Sequence, residues 1–370
     1  MKKKEAGGEI FLITTVVPLW LGLAALCFGK EPQDYSLTER RLLAQPPRAT
    51  VKNLAEGSFM QDFEAYSQDQ FPFREGLRQL KAAVSMKVLG KKDNHGIYYT
   101  QGQLSKLDYP LQKAQADYAA QKINGIYTTY LEGKEINCYL ALIPDKNFYL
   151  AEGNGYPAMD YDGLYRYMEE QLAQMKMIDL RELLEAEDFY TTDTHWRQER
   201  LLPIADSLAG AMGKERRAEY ALRKTRVPFY GVYVGQSGLR IEPDRICYLT
   251  NEILQDCVVT SYDTGVPVVK TIYDEKKLLG KDPYEFFLSG SQALMTIENP
   301  RARGEGELIV FRDSFGSSII PLLAECYEKI TLVDIRYINS SLLGEFIHFD
   351  RQDVLFLYST LLLNSSMGMK

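Results

Sequence analysis

Apolar positions along this chain fall into three regimes. The first is Ile10–Phe28, an uncharged run of about nineteen residues, enough for a helix to cross a bilayer. Lys2, Lys3 and Lys4 precede it, and Glu31 and Asp34 follow, which predicts an uncleaved signal anchor with the bulk of the chain outside. The second regime repeats at helical spacing. Phe59, Phe63 and Tyr66 share one face, Pro72 interrupts, and Leu77, Leu80, Val84 and Val88 mark a second amphipathic helix. Ala114–Tyr130, Tyr161–Met175 and Leu201–Met212 follow the same period.

The third regime is short and nearly continuous. Ile136–Ile143, Leu308–Phe311, Ile330–Val333 and Val354–Tyr358 read as strands buried on both faces, as in a parallel sheet covered by helices. Helical segments at Ser317–Tyr327 and Ser341–Phe346 separate the last three, giving a strand–helix alternation with right-handed crossovers. Strand-like runs also occur at Val227–Val234, Ile246–Leu249, Val258–Thr260 and Val268–Tyr273. The predicted class is α/β, with a mostly parallel sheet behind one N-terminal transmembrane helix. The predicted organisation is a cytoplasmic tail (1–8), the anchor (9–28), a polar tether containing Pro46-Pro47 (29–55) and one extracytoplasmic domain (56–370).

Charge narrows the partners. The net charge is −7, and residues 1–8 carry +2, so the remainder is about −9. That balance argues against a nucleic-acid groove. Of five cysteines, Cys27 lies in the first apolar run, and Cys138, Cys247, Cys257 and Cys326 show no C-x-x-C spacing. These four read as buried or partly buried thiols, and Cys247 and Cys257 have a hairpin-like separation if the compartment is oxidising.

The chemistry concentrates in two stretches. In Phe189-Tyr-Thr-Thr-Asp-Thr-His-Trp196, Asp193 stands two residues before His195, one of only three histidines. An imidazole beside a carboxylate is a general base with its tautomer set. The nucleophile candidate is Ser314, in Leu308-Ile-Val-Phe-Arg-Asp-Ser-Phe-Gly316, at the end of a predicted strand and before a predicted helix. Ligands of α/β sheets gather at such strand ends. The amides of Ser314 and Gly316 are candidate oxyanion donors there. An ordinary helix N-cap explains the same serine. Ser237 and Ser289 sit in glycine-containing turns and read as turn residues, His95 as a turn residue and His348 as structural. Trp196, Arg312 and Tyr230 are candidate substrate contacts, with Trp196 a stacking platform for a sugar ring or a core aromatic. No metal site or cofactor is expected, since no histidine pair has ligand spacing and neither a P-loop nor a dinucleotide fingerprint occurs.

The Asp193-Thr-His-Trp196 stretch resembles the signature of the DHHW and alginate-acetylation (AlgX/AlgJ-like) families of SGNH-hydrolase-like proteins. Asp69-Gln-Phe-Pro-Phe-Arg-Glu75, Ile143-Pro-Asp-Lys146, Asp282–Ile297, Arg312-Asp-Ser-Phe-Gly316, Asp334-Ile-Arg-Tyr337 and Asp353-Val-Leu-Phe-Leu-Tyr358 are similar to further segments of those families. The resemblance runs from about Phe59 to Tyr358. It implies an SGNH-like three-layer fold, with Ser314 as nucleophile, His195 as base and Asp193 as its orienter. It implies a membrane-anchored O-acetyltransferase or acetylesterase acting on a cell-envelope or exported polysaccharide, with a membrane-bound O-acyltransferase as acetyl donor. Arg312 stands where SGNH enzymes usually carry glycine, and the separate glycine and asparagine oxyanion blocks have no match. An inactive glycan-binding scaffold of an envelope polysaccharide machine is the alternative.

Overall fold

The computed structural model describes residues 2–302 and 304–370, with the side chains of residues 2–12 and Phe28 left out. Two compact units result: Met1–Asn94 with Val234–Arg240, and His95–Tyr233 with Ile241–Lys370.

The first unit begins with the helix Lys2–Gly29. Part of the predicted anchor, residues 9–12 and Phe28, falls on side chains outside the described set. Among the described residues no helix is long and apolar enough to cross a membrane. The segment expected to be a loose tether is instead bonded to a helix pair. Gln33 N donates to Gln70 Oε1 at 2.9 Å, and Ala44 N donates to Asp69 Oδ2 at 2.8 Å. Arg41 and Arg74 add charge-assisted bonds to Asp69 and Glu39 respectively, so carboxylates at two turns tie the segment down. Helices Val51–Glu56, Ser58–Asp69 and Arg74–Ala83 follow, the last running into a π-helical turn over Val84–Val88.

The second unit is built on an eight-stranded sheet. Its spatial order is Val268–Lys270, Val258–Ser261, Leu294–Glu298, Lys329–Val333, Glu307–Arg312, Asp353–Ser359, Cys138–Ile143 and Lys176–Asp179. The last five strands are mutually parallel, and the first three extend the sheet antiparallel. Alternation along the strands feeds two cores. Leu308, Val310, Leu355 and Leu357 face one, with Ile204 and Leu208 of the helix Leu202–Ala211. Ile309, Phe311, Val354 and Phe356 face the other, with Ala119 and Ile123 of Lys113–Ile126 and Leu164 and Met168 of Tyr161–Gln171. Burial on both faces is why these strands read as unbroken apolar runs. The expected three-layer α/β architecture is therefore present.

Two local expectations change. The helix expected over Ser317–Tyr327 is α-helical only across Gly316–Ile319 and 3-10 from Ile320 to Cys326, where Pro321 removes a backbone donor. The strand expected to reach Val234 ends at Phe229, in a hairpin of Ala221–Phe229 with Asp244–Thr250. All five cysteines are free thiols, with Cys138, Cys247 and Cys326 buried and Cys257 partly so.

Candidate active site

The C-terminal ends of the parallel strands collect carboxylates that tie neighbouring strands together. Asp313, just past Glu307–Arg312, accepts from Ser359 N at 2.9 Å and Ser359 Oγ at 2.6 Å. Asp145, just past Cys138–Ile143, accepts from Thr360 Oγ1 at 3.1 Å and Tyr161 OH at 2.9 Å. Burial, reinforced by the charge of Asp108, raises the Asp145 carboxyl to about 6. The nucleophile candidate stands on this edge.

Asp193 and His195 arrive on a closed loop. Phe189 and Trp196 pair as an antiparallel bridge, and Tyr190 N donates to His195 O at 3.0 Å. Asp244 ties the loop from below, accepting from Thr191 N at 3.0 Å, Thr192 N at 2.7 Å and Thr192 Oγ1 at 2.6 Å. Buried Lys146 holds its opposite side, donating to Tyr190 O at 2.8 Å and Thr191 O at 3.3 Å.

At the tip, His195 Nδ1 lies 2.6 Å from Asp193 Oδ1, and His195 Nε2 lies 2.8 Å from Ser314 Oγ. An ionised carboxylate only accepts, so Nδ1 carries the proton and Nε2 is left to accept from the serine hydroxyl. Residues 119 apart in sequence thus form one hydrogen-bonded line. The second carboxylate oxygen of Asp193 accepts from Val232 N at 2.8 Å. The imidazole is clamped by aromatic rings: Tyr284 stacks on it at 3.8 Å between centroids and 10°, and Phe315 lies at 4.8 Å. Tyr284 OH bonds Ser318 Oγ at 2.8 Å, and burial keeps its phenol un-ionised by raising its pKa. His195 is buried, whereas Ser314 remains partly accessible.

Several candidates take other roles. Ser314 is not a helix cap: the helix Gly316–Ile319 has no side-chain cap, and the turn before it is held by the Asp313 carboxylate, which accepts from Phe315 N at 3.0 Å. The Gly316 amide is unavailable to an oxyanion because it donates to Asp313 O at 3.1 Å. Glycine is required there for space, since a Cβ would lie 2.8 Å from Arg312 Cβ. Trp196 is not a sugar platform: it is fully buried, donating from Nε1 to Phe315 O at 3.1 Å and Ser318 Oγ at 2.9 Å. Arg312 is also fully buried, beneath the nucleophile turn, donating to Ser317 Oγ at 3.1 Å and to Ser291 Oγ and Gly290 O at 3.3 Å. Its guanidinium braces that turn instead of facing substrate. Tyr230 is half-buried and adjoins Gly231, which packs on the Thr192–Asp193 backbone. His95 occupies an exposed turn with φ 55°, and His348 is exposed.

No family model and no curated protein matches the sequence. Solved structures do. A DHHW family protein from Eubacterium siraeum aligns with 75% of this chain and 95% of its own, at TM-score 0.61 and 20% identity. The chain shares that protein's fold. Bacillus cereus PatB1 aligns with 72% of the chain and 96% of its own, at TM-score 0.58 and 20% identity. PatB1 with a sulfonyl adduct aligns at TM-score 0.57, also 20% identical, over 72% and 95%.

Three residues around the site were not singled out in the sequence. Tyr284 falls inside a segment noted only for its resemblance, and Ser318 and Gly231 carry no local signal. Tyr284 positions the imidazole, so Tyr284→Ala is expected to lower turnover about tenfold with little change in KM, from lost stacking. Tyr284→Phe keeps the ring and is expected to stay within about twofold on that same basis; steady-state kinetics on a chromogenic ester separates them. Lys146 predicts a pH effect. Burial depresses its ammonium to about 7, with Asp193 and Asp244 opposing that shift. The unfolded chain then binds more protons than the folded one between pH 7 and the ordinary lysine value, so stability rises with pH there, by up to about 1.4 kcal/mol per unit. Lys146→Met is expected to flatten that slope in denaturant titrations at pH 7 and pH 9. An unchanged slope would show that the ammonium does not carry it.

Proposed function

We propose that the chain is a serine O-acyltransferase or acetylesterase acting on a polysaccharide through Ser314, His195 and Asp193. The carrying observation is the 2.8 Å contact of His195 Nε2 with Ser314 Oγ, in line with the 2.6 Å Asp193–His195 contact. In the first half-reaction Ser314 Oγ attacks the carbonyl carbon of an acyl donor while its proton passes to His195 Nε2. The tetrahedral intermediate collapses, the donor oxygen leaves with that proton, and an acyl–serine ester remains. A sugar hydroxyl, or water, then gives its proton to His195 and attacks the ester, restoring Ser314. Asp193 stabilises the imidazolium at each step and is not itself protonated. The Ser314 amide, which donates to no protein group among the described residues, is the first oxyanion donor in this scheme.

The motif resemblance supports an exported or envelope polysaccharide as acceptor and a membrane-bound O-acyltransferase as acetyl donor. In this reading Ile10–Phe28 anchors the chain and the second unit works outside the cell. Alkaline carbonate extraction of membranes tests the anchor: retention in the pellet supports it, and full release contradicts it. PatB1 has been solved with a sulfonyl adduct, which suggests the reagent for the site itself. An aryl sulfonyl fluoride is expected to label the wild-type chain on the peptide containing Ser314 and to spare His195→Ala, which lacks the base. Equal labelling of both would remove His195 from the mechanism.

A further inference from the structure

The helix Arg74–Ala83 and its continuation through Val88 are amphipathic in the reverse sense. Ala82 and Ser85 are turned inward and buried. Phe73, Leu77, Leu80, Val84 and Val88 are exposed, from 39% at Val84 to 75% at Phe73. Leu77, Leu80 and Val84 follow at i, i+3 and i+7 along one face, with Phe73 at the N-cap and Val88 at the end of the π-helical turn. Lys81 and Lys87 stand at its two margins, both exposed. Arg74 and Arg78 are paired with Glu39, whereas Lys81, Lys87 and Lys91 stand exposed along the stretch in a chain of net −7.

We infer that this stripe lies in the headgroup region of an anionic bilayer, a second membrane contact separate from the N-terminal apolar run. An apolar ridge bordered by lysines suits that interface: leucines and valines enter the acyl boundary while ammonium groups reach the phosphates. Charge selects this occupant over a second copy of the chain. A two-fold dimer through the same face would set the exposed lysines of one copy against those of the other, whereas an anionic leaflet is complementary. The inference does not depend on the acyl-transfer reading, because no residue of the site takes part in it.

The test uses the full chain in vesicles. Leu80→Trp places a reporter on the stripe, and the unsubstituted chain, with Trp20 and Trp196, supplies the background. With acyl-brominated phosphatidylcholine containing phosphatidylglycerol, the added emission is expected to shift to the blue and be quenched. Lys81→Glu with Lys87→Glu in that background is expected to weaken the quenching severalfold, at about fivefold in affinity per lysine. Leu77→Trp is a second reporter with the same expectation. Emission that stays unquenched and solvent-like in both vesicle types overturns the inference, as does equal quenching in phosphatidylcholine alone. A blue shift without quenching that grows with protein concentration assigns the stripe to a second copy and overturns it as well.

Discussion

Ser314→Ala is expected to remove essentially all ester hydrolysis and acyl transfer, a loss of about 10⁴-fold or more, while leaving the fold intact. Serine and alanine differ by one oxygen, and Ser314 sits partly accessible at the turn after the strand Glu307–Arg312. Its hydroxyl makes the contact with His195 and is not spent on capping the helix Gly316–Ile319, which has no side-chain cap. The variant should therefore unfold at nearly the wild-type temperature. Hydrolysis of p-nitrophenyl acetate by both proteins, with thermal melts alongside, gives the comparison. A variant that keeps its activity would place the hydrolysis elsewhere and remove Ser314 from the mechanism.

Gly231→Ala is expected to be the most damaging change outside the hydrogen-bonded line. A Cβ on Gly231 would collide with the Thr192 carbonyl oxygen and with Cβ of Asp193. The same approach is fastened by Gly231 N to Thr192 Oγ1 at 2.9 Å and Tyr233 N to Thr192 O at 3.0 Å. Relief demands that the loops separate, which breaks the Val232 N to Asp193 Oδ2 bond and tilts the carboxylate away from His195. Overpacking of this kind costs about 2–3 kcal/mol. A displacement near 1 Å at the orienting carboxylate costs about a hundredfold in turnover. Denaturant unfolding and kcat measured together check both effects. Loss of stability with full turnover would separate the Gly231 contact from the positioning of Asp193.

The parts of this molecule that were legible in the sequence are those whose signal is local. Ile309 through Phe311 and Val354 through Phe356 are apolar at every position because both faces of the sheet are covered, and that alone marks them as interior strands. Asp193, His195 and Ser314 stood out because Asp193-Thr-His-Trp196 resembles a family signature, and a serine at a strand-to-helix turn sits where ligands meet such sheets. What stayed hidden depends on which distant segments meet. Tyr284 is one tyrosine among many until the fold lays its ring on His195. Trp196 beside the histidine suggested a sugar platform, but its indole nitrogen has two partners beneath the nucleophile turn, and those exist only in the folded chain. Gly316 suggested an oxyanion donor, and its amide is instead consumed by the turn. The apolar period of Leu77, Leu80, Val84 and Val88 marked an amphipathic helix, and period alone does not say which side faces water.

The central claim is that Ser314 becomes acylated. Mass spectrometry of the chain quenched in acid during turnover of p-nitrophenyl acetate tests it directly. The account predicts a gain of one acetyl group on the peptide containing Ser314, absent from Ser314→Ala and slow to clear in His195→Ala after any residual loading. Hydrolysis by the wild-type chain with no acetylated serine at any quench time, or with the acetyl group on another residue, would contradict it.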